Sequence, residues 1–311
     1  MINNLINLKQ LEAFVSVVDC GTFRAAAGHL KTTQPNISAR IATLEAHLDV
    51  VLLHRDAGSV RLTQKGEALL SAAREVLWAA EGFVETARRT DLIEDRLRLG
   101  VTELVACTWL HEYLRQLHGL YPGVSVELTV NLSRELDREM AEGLLDIVVQ
   151  TAPFEAGSDM VAALGSYAYR WVAGPEMAAG LPEGDALARL FQTPVLMHAR
   201  NTQVPKALGE RLRHEGVRAD KLVYNSSLTS CLQMAVDGLG VALLPEVLTR
   251  EVVEAGRLVP VACNWLPDPL AVFVRHDRRR APRFVRMAAK LTEAVSAPHM
   301  ITMSDQPERK E

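Results

Sequence analysis

Three patterns of apolar and polar positions divide this chain. In residues 1–65, short helical runs are broken by a polar turn. An Ala-rich helix over 24–30 stops at Lys31-Thr32-Thr33, and a second helix opens with Gln34-Pro35-Asn36-Ile37-Ser38. Thr33 suits the N-cap, since its hydroxyl can accept from an orphan N–H of the first turn, and Pro35 suits a place whose N–H is not needed. Residues 51–55 and 59–63 flank the turn signal Asp56-Ala57-Gly58 and predict a two-stranded wing. In the second pattern Thr63 caps a long helix to about Arg89. Its apolar residues Leu69, Leu70, Ala73, Val76, Leu77, Ala80 and Phe83 recur about every 3.5 residues. A lone helix cannot bury such a seam, so it predicts a partner subunit or packing on its own chain.

After a polar hinge at 90–95 the third pattern alternates strands with helices. Strands are predicted at 97–101, 124–130, 145–150, 169–173, 194–197, 221–224, 241–244 and 269–274. Helices are predicted at 104–120, 133–142, 204–215, 228–237 and 281–295. Such alternation implies α/β units and a largely parallel sheet. Residues 297–311 read as a disordered tail.

The first pattern carries recognisable chemistry. Two short helices around a three- or four-residue turn are the helix-turn-helix plan, whose second helix enters the major groove. Ala25, Ala26 and Ala27 allow close helix approach. Gln34, Asn36, Ser38 and Arg40 place polar groups along the second helix, where Gln and Asn can pair with adenine and Arg with guanine. Arg55 and Arg61 on the wing suit phosphate contacts; solvated surface charge is the alternative.

From Leu8 to Gly66 the chain resembles the N-terminal module of LysR-type transcriptional regulators. The matching residues are Leu8-Lys9-Gln10-Leu11 with Phe14; Gly21-Thr22-Phe23 with Ala25-Ala26-Ala27 and Leu30; and Gln34-Pro35 with Ser38. Leu44-Glu45 with Leu48, Leu52-Leu53 with Arg55, and Arg61-Leu62-Thr63 with Gly66 complete it. Asp49 stands where the family usually has Gly, which puts a left-handed turn in doubt. Ala39-Arg40 stands where many members have Arg at the first position, so that Arg's base contact is not carried over. The second half resembles the family's effector domain through Arg98-Leu99-Gly100, Tyr121-Pro122, Glu142-Gly143, Leu145-Asp146, Gly238-x-Gly240 and Leu244-Pro245. The resemblance implies an all-α winged helix-turn-helix (1–65), a linker helix pairing with its copy (66–89) and a hinge (90–95). A periplasmic-binding-protein-like α/β domain follows (96–296), with two Rossmann-like subdomains, 96–164 plus 267–296 and 165–266. It further implies a homodimer through the seam and a homotetramer through the effector domains.

Composition limits the alternatives. The chain has 311 residues, enough for two or three domains; 48% are hydrophobic and 23% charged, as in globular proteins. No long apolar run suggests a membrane span, and the N-terminus lacks a secretory pattern, so a cytoplasmic protein is expected. The net charge is −4, yet residues 1–65 hold seven basic against five acidic residues. That mild bias would need an oligomer to sum its contacts with double-stranded DNA. Cys20, Cys107, Cys231 and Cys263 are far apart, without zinc spacing, and neither metal nor cofactor is expected. Cys231 follows a predicted helix start, where a thiolate could be stabilised; a redox switch is the alternative to an inert buried thiol.

In α/β sheets ligands bind beyond the C-terminal strand ends, at helix N-termini. Those junctions hold Thr102, Glu103, Asn131, Ser133, Gln150, Thr151, His198, Arg200, Asn201, Thr202 and Ser227. The resemblance places a small-molecule effector on Thr102 and Ser133 most directly. Helix N-termini, with Arg200 or His198, favour an organic acid, whereas Glu103 could select an amine or repel a dianion. The rival readings are a cytoplasmic α/β enzyme and a ligand-binding protein with an accessory helical domain. No G-x-G-x-x-G, P-loop, G-x-S-x-G or H-E-x-x-H supports an enzyme.

Overall fold

The computed structural model describes residues 6–56, 59–87, 89–154, 159–200, 202–277 and 281–300. They form two compact units. One comprises residues 1–95 with 121–124 and 277–287, and the other holds the rest.

The first unit contains α1 (Leu8–Cys20), α2 (Phe23–His29), α3 (Gln34–Leu48), β1 (Leu53–Asp56), β2 (Ser59–Leu62) and α4 (Gln64–Thr86). Side chains start each helix. Asn7 and Gln10 exchange bonds in a capping box, Thr22 accepts from Ala25 N at 3.1 Å, and Thr33 accepts from Asn36 N at 3.4 Å. Phe14, Val17, Ala26, Ala27, Ile37, Ile41, Leu44 and Leu52 form the core. Asp49 keeps the left-handed turn after α3, with φ +49° and ψ +46°. Asp is among the few non-glycine residues that visit this region readily, so the substitution preserves the conformation. The Glu45 carboxylate accepts from Leu52 N at 2.8 Å and fixes the entry to the wing.

The first turn of α4 lies against that entry. Thr63 accepts from Gly66 N at 2.9 Å, and a Cβ on Gly66 would stand 2.2 Å from the Leu52 carbonyl oxygen. Only glycine fits without moving backbone. Leu70 and Ala73 are buried in the chain's own core, and Arg74 is held by Asp19 at 2.5 Å. The seam therefore divides, because α1 takes its N-terminal half. Leu69, Leu77 and Ala80 are half-buried, whereas Val76 is 47% and Phe83 77% exposed.

Further along, α4 meets Tyr121 and the start of the helix Arg283–Ser296. Glu81 accepts from Arg283 N at 2.6 Å, and Glu85 takes Arg283 Nε at 2.6 Å and the Tyr121 hydroxyl at 2.9 Å. Burial pushes the Glu81 carboxyl up to about 7 from its ordinary 4.5; nearby Asp95 and Glu85 add to this, and N–H groups of Arg283 and Phe284 oppose it. The folded state thus holds this proton more tightly than the unfolded chain. Ionisation costs stability progressively as pH rises from about 4.5 to about 7, and fully above that. Glu81→Gln keeps an acceptor for the N–H groups without the charge. It should melt higher than the parent above pH 7, with the difference vanishing near pH 4.5. Parallel melting curves with pH would refute the assignment.

The second unit has two lobes. The first sheet has the order β4-β3-β5-β12-β6, from β3 (Arg96–Val101), β4 (Ser125–Val130), β5 (Ile147–Thr151), β6 (Asp159–Tyr167) and β12 (Leu270–Asp277). Helices α5 (Glu103–Ala106), α6 (Leu110–Leu120), α7 (Ser133–Ala141) and α13 (Arg283–Ser296) accompany it. The second sheet has the order β11-β7-β10-β8-β9, from β7 (Tyr169–Ala173), β8 (Val195–His198), β9 (Leu222–Asn225), β10 (Val241–Pro245) and β11 (Val259–Pro260). Its helices are α8 (Pro175–Ala179), α9 (Leu187–Leu190), α10 (Gln203–Glu215), α11 (Leu228–Val236) and α12 (Glu246–Glu254).

Several expectations change. The sheets are mixed rather than largely parallel: β3 is parallel to β4 and β5, and β8 to β9 and β10, but β12 opposes β5 and β7 opposes β10 and β11. Parallel neighbours need a crossover helix, whereas β7 and β12 arrive directly from the other lobe. The lobe boundary expected at 164 falls inside β6, which runs to Tyr167. The helix expected over 104–120 breaks between α5 and α6. There the Thr108 hydroxyl donates to Leu104 O at 2.8 Å, and buried Trp109 donates Nε1–H to the Tyr167 hydroxyl at 3.0 Å. Residues 297–299 form a 3₁₀ turn rather than disordered chain, and 301–311 lie outside the described residues.

The scattered motifs of the first lobe meet in space. Arg98 pairs with Asp146 at 2.5 Å and donates to Gly143 O at 2.7 Å. A Cβ on Gly100 would stand 2.6 Å from a Leu145 methyl and 2.9 Å from one of Leu136, so its absence lets α7 sit directly on β3.

Candidate functional site

On α3, Ile37, Ile41 and Leu44 face the core, which turns Gln34, Pro35, Asn36 and Ala39 outward. At about 100° per residue, Gln34 and Ser38 share one edge of the outer face, and Asn36 and Arg40 the other. The Asn36 amide donates to Thr32 Oγ1 at 3.2 Å, leaving its carbonyl outward at the helix start. Arg40 is half-buried beside Glu12 of α1, whose carboxyl is pushed up by burial and drawn down by Arg40 and Lys9. That neighbour ties Arg40 toward α1 more than the sequence implies. The wing pairs Leu53 with Leu62 and His54 with Arg61; Arg61 is exposed. The side chain of Arg55 and the wing tip, residues 57–58, lie outside the described residues.

The strand register brings the effector-domain residues together. Gly100 pairs with Val148 and Val101 with Val149, so Thr102 and Gln150 follow side by side on the sheet face covered by α7. Thr102 is 9% and Gln150 0% exposed. Among the described residues, Thr102 Oγ1, both polar ends of the Gln150 amide, Ser166 Oγ and His198 Nδ1 are buried without a hydrogen-bond partner. Each such group costs about 1–3 kcal/mol in an empty fold. Thr102 and Gln150, adjacent where β3 and β5 end, hold three of these unpartnered atoms.

Other predicted residues are spent locally. The Ser133 and Thr151 hydroxyls lie 2.8 Å apart, and Ser133 Oγ accepts from Thr151 N at 3.1 Å. Asn131 Oδ1 accepts from Leu132 N at 2.9 Å, and the Thr202 hydroxyl donates to Ala199 O at 2.9 Å. Arg200 stacks on Tyr224, 4.7 Å from the ring centroid, rather than projecting into the cleft as a free cation. Ala199 holds φ +30°, a strained value for a non-glycine residue, in the loop joining His198 to α10. Asn201 lies outside the described residues.

Glu103 crosses from one lobe to the other. Its Oε1 accepts from the Ser227 hydroxyl at 2.8 Å and from Thr229 N and Oγ1, both at 3.1 Å; Oε2 accepts from Leu228 N at 2.7 Å. Burial would raise its carboxyl, but these donors outweigh burial and hold it below the ordinary range. His198 is pushed down mainly by burial, against the pull of Glu103 and a bond to the Asn225 backbone, so its ring is neutral near pH 7. Sequence reasoning named Glu103 and Ser227 separately but not their bond. It missed Ser166, whose only signal is a small polar residue in an apolar run.

The architecture is a winged helix-turn-helix followed by a long helix and a two-lobed α/β domain. The family profile of the bacterial regulatory helix-turn-helix protein, lysR family, matches residues 8–67, and that of the LysR substrate binding domain matches residues 90–296. The chain therefore belongs to the LysR family of transcriptional regulators. It is 31% identical over 291 residues to a putative transcriptional regulator of Pseudomonas aeruginosa, covering 89% of this chain and 91% of that one. It is 29% identical over 300 residues to a probable hydrogen peroxide-inducible genes activator of Streptomyces viridosporus, covering 93% and 94%. ArgP from Mycobacterium tuberculosis shares the fold at TM-score 0.62 and 21% identity, over 94% of this chain and 98% of ArgP. Full-length LysG from Corynebacterium glutamicum, solved with bound effector Arg, does so at TM-score 0.59 and 19% identity, over 95% and 99%. The protein is a DNA-binding regulator with an effector-binding domain, and not an enzyme. No described helix is long and apolar enough to cross a membrane.

Proposed function

We propose that α3 reads the major groove through Gln34, Asn36 and Ser38, with Thr33 and Pro35 fixing its first turn, Arg40 at its edge and Arg55 and Arg61 on flanking phosphates. The protein acts in the cytoplasm, where its DNA is. It pairs through α4 as a homodimer, and a homotetramer forms through the effector domains. The outer face of edge strand β4 supports the second contact, since Val126, Leu128 and Val130 are exposed there.

A small organic acid binds between the lobes at Thr102, Ser133, Gln150, Thr151 and His198, with Asn131 and the loop of Arg200, Asn201 and Thr202 at the rim. The buried, unpartnered groups of Thr102 and Gln150 carry this reading. The helix starts of α7 and α10 have no side-chain cap and suit a carboxylate. Contacts to both lobes would favour one lobe arrangement, and that difference in affinity is the switch. Thr102→Val keeps the shape and removes the hydroxyl. Calorimetry with an effector found by thermal shift should show binding weakened about tenfold, with DNA binding unchanged. Unaltered affinity in both Thr102→Val and Ser133→Ala would place the effector elsewhere.

Peroxide sensing through Cys231, a reading suggested by the name of the Streptomyces relative, is not favoured. Cys231 is fully buried, and burial, with the charge of Glu103, pushes its thiol up to about 11. A reactive cysteine needs the opposite environment.

A further inference from the structure

We propose that Glu103 determines which effectors the cleft accepts: it is a tethered carboxylate seated on the N-terminus of α11, barring an effector's anionic group from that helix start. This rests on the cleft reading above and narrows it. The cleft then takes an acid that presents its carboxylate away from α11 and an uncharged or cationic group, such as an amine, to Glu103. Dicarboxylates that would place an anionic group at the start of α11 are excluded.

The helix starts around the cleft differ in occupancy. On α11, Ser227 Oγ accepts from Ser230 N, while Glu103 takes Leu228 N, Thr229 N and two hydroxyls. Its negative charge also lies along the helix macrodipole, where an anion is favoured. An incoming carboxylate at this end would have to break four hydrogen bonds and then sit beside the displaced Glu103 charge. Among the described residues, no side chain caps the first turn of α7 or α10.

The second observation is the neighbouring polar set. Thr102 immediately precedes Glu103, and its hydroxyl, like the Gln150 amide beside it, is buried and unpartnered. These groups are neutral, and so is His198. Arg275 is paired with Asp137 at 2.5 Å, whereas Arg200 lies over Tyr224 and keeps its charge in the loop before α10. Glu103 therefore sets the sign of charge at the start of α11. A dianion meets repulsion there, whereas an ammonium group meets attraction.

The test vacates the seat. Full-length protein and Glu103→Ala are melted in sodium acetate and in sodium chloride at matched ionic strength. The variant should melt lower in chloride and recover in acetate, because acetate replaces the lost carboxylate on α11. The parent should respond equally to both salts, with apparent acetate affinity at least about tenfold weaker than the variant's. Should Glu103→Ala not fold, Glu103→Ser vacates the same place. A variant indifferent to acetate would show that α11 offers no anion seat. A parent stabilised by acetate as much as the variant would show that Glu103 does not fill it. Either result overturns the proposal. Failure of the cleft reading is separate: it would appear as normal effector binding in Thr102→Val and Ser133→Ala while the acetate recovery still stood.

Discussion

Glutamate at Phe83 and Val76 should separate the subunits and lower affinity for a two-half-site operator by about 10²–10⁴-fold, the usual loss when linked binding becomes two independent events. Both side chains are exposed on α4, and Phe83, at 77%, is the most exposed large apolar residue described in the DNA-binding unit. A groove of about 510 Å³ beside them is lined by Leu8, Leu11, Leu44, Leu69, Ala72 and Val76, so an apolar surface continues from α4 toward α1 and α3. Water contact over such a surface is unfavourable, and a second copy of α4 would remove it. The mild charge of residues 1–65 makes the point sharper, since one module alone has few basic groups for phosphates. Leu70 is unsuitable for this test because its burial in the chain's own core makes a charge there unfold the module. The measurement is sedimentation of Val76→Glu/Phe83→Glu beside a DNA titration. A double variant that is folded, as large as the parent and equally tight on DNA would reject the α4 interface.

What the sequence makes legible depends on the range over which the forces act. The N-terminal module reads almost directly, because caps at Asn7, Thr22, Thr33 and Thr63 are encoded within a few residues of their partners. In the effector domain the alternation of strand and helix locates β3, β7, α10 and α11 within a residue or so. It does not reveal that β12 returns from the end of the chain to oppose β5, since that pairing is set by topology rather than by local period. The break before Trp109 is another tertiary effect: the indole finds its partner on Tyr167, fifty-eight residues away. The cleft follows the same division. Thr102, Ser133 and Gln150 are predictable from strand ends, but the bond from Glu103 to Ser227 spans 124 residues. Only the folded arrangement shows that one helix start is already filled.

Replacing Gln34 or Ser38 with Ala should cost about 1–3 kcal/mol on the cognate operator and little on random DNA. These residues share one edge of the outer face of α3, four apart, while Ile37 and Ile41 point into the core beside that edge. Both replacements leave the buried isoleucines in place. Thr33 and Pro35 keep the helix start in place, so loss of a side chain is loss of a base contact and not of the helix. Arg61→Ala supplies the contrast. A wing arginine on a phosphate should weaken cognate and random DNA alike, and reduce the slope of log affinity against log salt by about 1. Titrations of the three variants on both DNAs, over a range of salt, separate the two kinds of contact. If Gln34→Ala and Ser38→Ala weaken random DNA as much as the operator, this edge of α3 lies on the backbone, and sequence is read by Asn36 and Arg40 on the other edge.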